Sequence, residues 1–188
     1  MHIGFDPLYW MMLMPCIILA LVAQGMVKKR YTAYSRIPIS RGMTGWEIAD
    51  YILRYSGIND VSVEMIEGEL TDHYDPVKKA LRLSRNIYYG NSIAAAGIAA
   101  HEAGHAIQHH QAYLPLSFRN AFFPVANLGS KLAFPLIFLG LILNFMMLFK
   151  LAIILFSCAV LFSIITLPVE FNASSRAVKA LSNYNLLT

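Results

Sequence analysis

Acidic residues are scarce in this chain, and their placement matters more than their number. Only 11 of its 188 residues are Asp or Glu, and after His105 a single one remains, Glu170. Charge of either sign is thin: charged residues make up 14% and hydrophobic residues 57% of the chain, which is too apolar for an ordinary soluble domain. Cysteine is nearly absent. Cys16 and Cys158 fall inside apolar runs without the spacing of a metal or redox pair, and they read as free thiols. Repeats and low-complexity runs are missing as well. The net charge of +4 comes mainly from residues flanking the apolar runs, so it gives no reason to infer nucleic-acid binding.

Charge is missing altogether from residues 8–27, a run of 20 that is long enough to cross a hydrocarbon core of roughly 30 Å. Residues 132–149 and 151–167, separated by Lys150, add two more runs, so three spans are expected, the last two as a tight hairpin with Lys150 at its tip. A cleavable signal peptide is the alternative for the first. Its flanks are reversed for that role, with Asp6 and no Lys or Arg before the run and Lys28-Lys29-Arg30 after it. The same basic residues, with Arg36, Arg41, Arg119, Lys131, Arg176 and Lys179, orient the chain by the positive-inside rule. The N-terminus is expected outside, residues 28–131 in the cytoplasm, and Glu170 back on the cytoplasmic face of a multi-pass cell-membrane protein.

Against this background stands His101-Glu102-Ala103-Gly104-His105, an H-E-x-x-H pattern. On a helix, residues four apart lie one above the other, so two imidazoles can reach one zinc ion at roughly 2.0–2.1 Å. Glu102 then points beside the metal, where a general base takes a proton from a water activated by zinc. Residues 92–110 are rich in helix formers, with Asn91 or Ser92 as N-cap candidates. Gly97 and Gly104 weaken that helix unless it needs close neighbours.

A third protein ligand is still required, and few residues could supply it. His109 lies two turns beyond His101, about 12 Å along the axis, and His110 is on the same helix. Gln108 and Gln111 occupy positions where a metzincin needs Gly and His. Glu170 is the leading candidate, giving a gluzincin-type His-His-Glu site for one Zn2+; a capping or interfacial carboxylate is its alternative. Two spans between the motif and Glu170 return the chain to the same side. Pro168 is expected to kink or break the helix and swing Glu170 towards the metal, unless it only punctuates the helix.

The expected architecture is a mostly α membrane protein with a small α+β zincin-like metalloprotease domain. Its parts are an N-terminal transmembrane helix (1–27), the zincin-like domain (28–131) with the zinc-binding helix at about 92–110, a transmembrane hairpin (132–167), and a helix carrying the third ligand (168–188). Within the domain, Thr44 and Glu47 form a capping box for a helix over 43–55 whose buried face is Ile48, Ala49, Ile52 and Leu53. Strands are expected at 61–66, 69–74 and 80–83, with a turn at Asp75-Pro76. A strand preceding the zinc helix can pair with an extended peptide. His73 reads as part of a polar turn, or as a second site or substrate contact.

Five blocks of residues resemble one family: Phe5-Asp6-Pro7, residues 42–45 (Gly-Met-Thr-Gly), 70–76 (Leu-Thr-Asp-His-Tyr-Asp-Pro), 100–108 around the His101/His105 pair, and 167–174 (Leu-Pro-Val-Glu-Phe-Asn-Ala-Ser). Together they resemble the YugP-type neutral zinc metallopeptidases, bacterial membrane proteins, over nearly the whole chain. The last block is also similar to the Glu-Phe-x-Ala-Asp segment of HtpX-type membrane proteases, whose glutamate is the third zinc ligand; this implies the same role for Glu170. Ser174 stands where that segment has an aspartate supporting a ligating histidine, so the support differs here. Members of the resembled family tend to continue with another apolar segment, whereas this sequence stops at Thr188, which leaves open whether a fourth span is missing.

These readings converge on a zinc endopeptidase with ligands His101, His105 and Glu170 and general base Glu102. For the tetrahedral oxyanion Arg176 is the candidate donor, with a helix-end or lipid-facing role as the alternative; Ser174 and Asn172 are further candidates for the oxyanion or the outer shell. Expected partners are the bilayer and a peptide or membrane-protein substrate, with an oligomer or a membrane-protein partner left open. A site-2-type intramembrane protease would need a downstream aspartate, and none follows His105. A zinc-stabilised scaffold would bind zinc without cleaving, and an adaptor of another protease would keep its function after Glu102→Gln.

Overall fold

A computed structural model describes residues 7–187; Phe5 and Asp6 of the opening block lie outside them. The chain is mostly helical with one small sheet. In order it forms α1 (Pro7–Tyr34), α2 (Gly45–Tyr55), β1 (Ser62–Ile66), β2 (His73–Asp75), β3 (Ala80–Ser84), α3 (Arg85–Tyr88), α4 (Ile93–His110), α5 (Leu114–Ile142) and α6 (Met146–Asn183).

The soluble-looking part of the core forms where the sequence pattern puts it. Thr44 Oγ1 accepts from Glu47 N–H while Glu47 reaches back to Thr44 N–H at 2.7 Å, so the capping box starts α2. Ile48, Ala49, Ile52 and Leu53 are buried against Leu81, Leu83, Ile87 and the alanine face of α4. The sheet has the order β1-β3-β2, with β1 parallel and β2 antiparallel to β3. The expected strand over 69–74 shortens to 73–75, because Asp72 turns inward and its carboxylate accepts from Ser84 N–H at 2.7 Å and from Ser84 Oγ. The Asp75-Pro76 turn forms, with Asp75 Oδ1 accepting from Val77 and Lys78 N–H. β2 is left as an edge strand beside α4.

Helix ends repeat one device. After α2, α4, α5 and α6 the chain enters a left-handed residue, Gly57, Ala112, Asn144 and Asn185 respectively. The next N–H then reaches back to Leu53, Gln108, Gly140 and Leu181, the Schellman arrangement. This locates the hairpin turn at Leu143-Asn144-Phe145, not at Lys150, which lies within α6.

α5 and α6 are the two helices, among the described residues, long and apolar enough to cross a membrane. They pack through small residues, Ala126, Gly129, Ala133, Gly140 and Ala152, and a Cβ on Gly129 would meet Leu155 O at 2.7 Å. Phe134, Phe138, Ile153 and Ile164 point outward and are exposed. Residues 8–27 lie within α1, which continues to Tyr34. The expected break at Pro168 does not occur. α6 runs unbroken through it, held on either side by α5 and α4, and proline costs less where neighbouring helices fix the course of the chain. The apolar run of residues 151–167 and the segment carrying Glu170 are therefore one 38-residue helix.

Candidate active site

Ser92 caps α4, accepting from Ala95 N–H, and the helix carries His101, Glu102 and His105 past the side of α6. Gly104 permits the approach: a Cβ there would stand 2.7 Å from Ala173 O, a backbone atom of α6. Gly97 has open space beside it instead. The close crossing brings Glu170 over the two histidines. Its Oε2 lies 3.2 Å from His101 Nε2 and 3.4 Å from His105 Nε2. These separations lie near the edge of a tetrahedron built with zinc bonds of 2.0–2.1 Å, about 3.3–3.4 Å, and the His101 contact is also within hydrogen-bond reach. All three ligand atoms lie within 4.8 Å of one another. The donor set suits a zinc ion.

The far side of each imidazole is fixed. His105 Nδ1 donates to Gln108 Oε1 at 3.0 Å, which leaves Nε2 bare to face Glu170. Gln108 is fully buried, and its amide donates to Val169 O and Asn172 Oδ1, both at 2.9 Å. One side chain thus orients a histidine and ties α4 to α6 within one residue of Glu170. Ser174 Oγ lies 3.2 Å from His101 Nδ1, the support expected from an aspartate in the HtpX-type segment.

Arg176 is not at the cavity. Its Nε donates to Asn172 Oδ1 at 2.7 Å and its Nη1 to Gln111 Oε1 at 2.6 Å, with the guanidinium 5.9 Å from the Tyr113 ring. Six residues past Glu170, it falls on the flank of α6 that faces the end of α4, and it ends the chain of bonds running through Asn172 and Gln108 to His105. That geometry removes it as the oxyanion donor.

Glu102, His101, His105 and Glu170 line a cavity of about 240 Å³ with Asp72, His73, Tyr74, Pro76, Leu116, Arg119 and Asn120. Burial pushes the Glu102 carboxyl above the usual range, against the pull of His105 and His101. His73 is held in place, its Nδ1 donating to Thr71 O at 2.8 Å. Tyr74 turns its hydroxyl to His109 Nδ1 at 2.8 Å, and burial pushes that phenol up to about 12. His109 is occupied there, away from the metal-binding group. Arg119 and Gln108 are the residues that sequence reasoning passed over. A buried amide three residues after His105, and a cation on an apolar helix, were the available signals.

A family model described as "Putative neutral zinc metallopeptidase" matches residues 9–188. The chain belongs to this family. A curated relative, "Putative membrane protease YugP" of Bacillus subtilis (strain 168), is 53% identical over 156 residues, covering 82% of this chain and 69% of the relative. No solved structure matches the chain. The family's description names zinc, and the His-His-Glu group is one that could hold a metal ion.

Proposed function

We propose that this chain is a membrane-embedded, zinc-dependent endopeptidase whose metal is held by His101, His105 and Glu170. The observation that carries the reading is the convergence of two histidine Nε2 atoms and one Glu170 oxygen at 3.2 and 3.4 Å in a cavity that also holds buried Glu102. Bound zinc would polarise the scissile carbonyl and lower the pKa of a water towards roughly 7. Glu102 takes the proton from that water and later passes it to the leaving amine. Gln108 and Ser174 keep the imidazoles turned with Nε2 inward. The free flank of edge strand β2, beside the cavity, pairs with the substrate backbone as an added strand.

In the same reading α5 and α6 cross the bilayer as a hairpin and α1 forms a further span, with Lys28, Lys29 and Arg30 on the cytoplasmic side. Glu170 follows the apolar part of α6 by less than a turn, so the site sits close to the membrane surface and suits unfolded or membrane-protein segments emerging there. The test uses purified protein in detergent, measuring zinc content and cleavage of an unfolded protein. Glu102→Gln is expected to keep one zinc per chain and to lose cleavage by at least 100-fold, the scale of a lost general base. Full cleavage by Glu102→Gln would refute the proposal, and zinc without any cleavage by the wild type would mark a scaffold.

A further inference from the structure

We infer that Arg119 is the catalytic donor to the oxyanion of the reaction, an assignment that rests on the peptidase reading above. Leu116, Arg119 and Asn120 are spaced i, i+3, i+4 on α5 and form the wall of the cavity that this helix supplies. Arg119 Nη2 lies 3.6 Å from Glu170 Oε1, while Glu170 Oε2 faces the histidines. At that distance the pair is ionic without a hydrogen bond. Among the described residues the Arg119 guanidinium makes no hydrogen bond to protein, and its side chain is 31% exposed. Its N–H donors are therefore available to a ligand lying against the candidate metal ligands.

Asn120 lines the same wall as a neutral donor, and the other positive or donating groups nearby are committed elsewhere. Arg176 is bound to Asn172 and Gln111, Arg82 to Glu64 and Asp75, the His73 Nδ1 to Thr71 O, and the Tyr74 hydroxyl to His109. Arg119 is the cation that lines the cavity. In the reaction, Glu102 removes a proton as the water oxygen bonds to the carbonyl carbon. The carbonyl π pair moves onto its oxygen, and an Arg119 N–H donates to the charge that develops there. When the pair returns, the C–N bond breaks and the amine leaves with the proton held by Glu102. A fixed donor aimed at charge that appears only in the transition state lowers the barrier without tightening substrate binding.

The experiment compares wild type, Arg119→Gln and Arg119→Lys for zinc content, kcat and KM on an internal peptide bond, and calorimetric affinity for a phosphinic peptide, which mimics the tetrahedral state. Arg119→Gln is expected to retain one zinc and a KM within about twofold. Its kcat should fall about 100- to 1,000-fold, the range for a lost oxyanion donor, and phosphinate affinity should fall in parallel. Arg119→Lys should recover part of both. Unchanged kcat and phosphinate affinity overturn the assignment. So does loss of zinc with normal turnover per zinc bound, which would make Arg119 only a support for Glu170. A rise in KM confined to substrates with a free carboxyl terminus beside the cut would make it a carboxylate anchor and also overturn it. Absence of cleavage by the wild type would sink the peptidase reading and the assignment with it, whereas cleavage by the wild type with unchanged kcat in Arg119→Gln would sink the assignment alone.

Discussion

Gly104→Ala adds one methyl group at the crossing of the two helices that carry the candidate metal ligands. The new Cβ would stand 2.7 Å from Ala173 O and 3.3 Å from the Ala173 carbonyl carbon and Cα. These are backbone atoms of α6 with no flexible tip to swing aside. Restoring an ordinary contact of about 3.4 Å therefore requires α6 to retreat by about 0.7 Å. Glu170 precedes Ala173 by less than one turn, so the retreat reaches its carboxylate nearly whole. Metal ligands tolerate errors of about 0.2 Å, and disturbed surroundings cost about 10- to 100-fold in metal affinity. A zinc affinity reduced by that factor is expected. Stability should change little, since the gain of about 1 kcal/mol from replacing a helical glycine offsets part of the overpacking cost of about 1–3 kcal/mol. Competition with a chromophoric chelator measures the first quantity, and thermal melting of the metal-free protein the second. Gly97→Ala, where a Cβ meets nothing within 4 Å, is the control and should leave zinc affinity unchanged. Wild-type zinc affinity in Gly104→Ala would refute the claim that this crossing sets the position of Glu170.

Gln108→Ala should lower zinc affinity about 10- to 100-fold, because it frees the His105 imidazole to rotate and cuts the link to Val169 and Asn172; chelator competition measures it, and an unchanged value would deny Gln108 an orienting role. Pro168→Ala should shift zinc affinity by less than about twofold and raise the melting temperature slightly. α6 is already continuous there, so a large change in metal binding would revive the proline as a hinge.

Much of the site could be read from residue spacing. The capping box at Thr44 and Glu47 is a local signal whose partners are three residues apart, and it formed as expected. The helix of His101 and His105 needed only its own propensities and its Ser92 cap. Glu170 was reached by elimination because the chain offers so few acidic residues, and the structure brings it to the two histidines. Features that depend on distant partners were not legible. Whether Pro168 breaks a helix depends on what braces both sides, and α4 and α5 do so here. The parallel pairing of β1 with β3 depends on how the chain crosses between them. Arg176 and Arg119 are both arginines near long apolar runs, and only the packing of α5 against the cavity separates one from the other. The hairpin turn was missed for a different reason. Lys150 drew attention as the one charge between two apolar runs, while Asn144, the residue suited to a left-handed turn, was the local signal.

In the proposed site one zinc ion is held jointly by two helices, through His101 and His105 on one and Glu170 on the other. Equilibrium dialysis of wild type and Glu170→Ala against buffered zinc tests it most directly. One zinc per chain is expected for the wild type and loss of most of it in Glu170→Ala, with the melting curve of the metal-free protein nearly unchanged. Undiminished zinc binding in Glu170→Ala would contradict it.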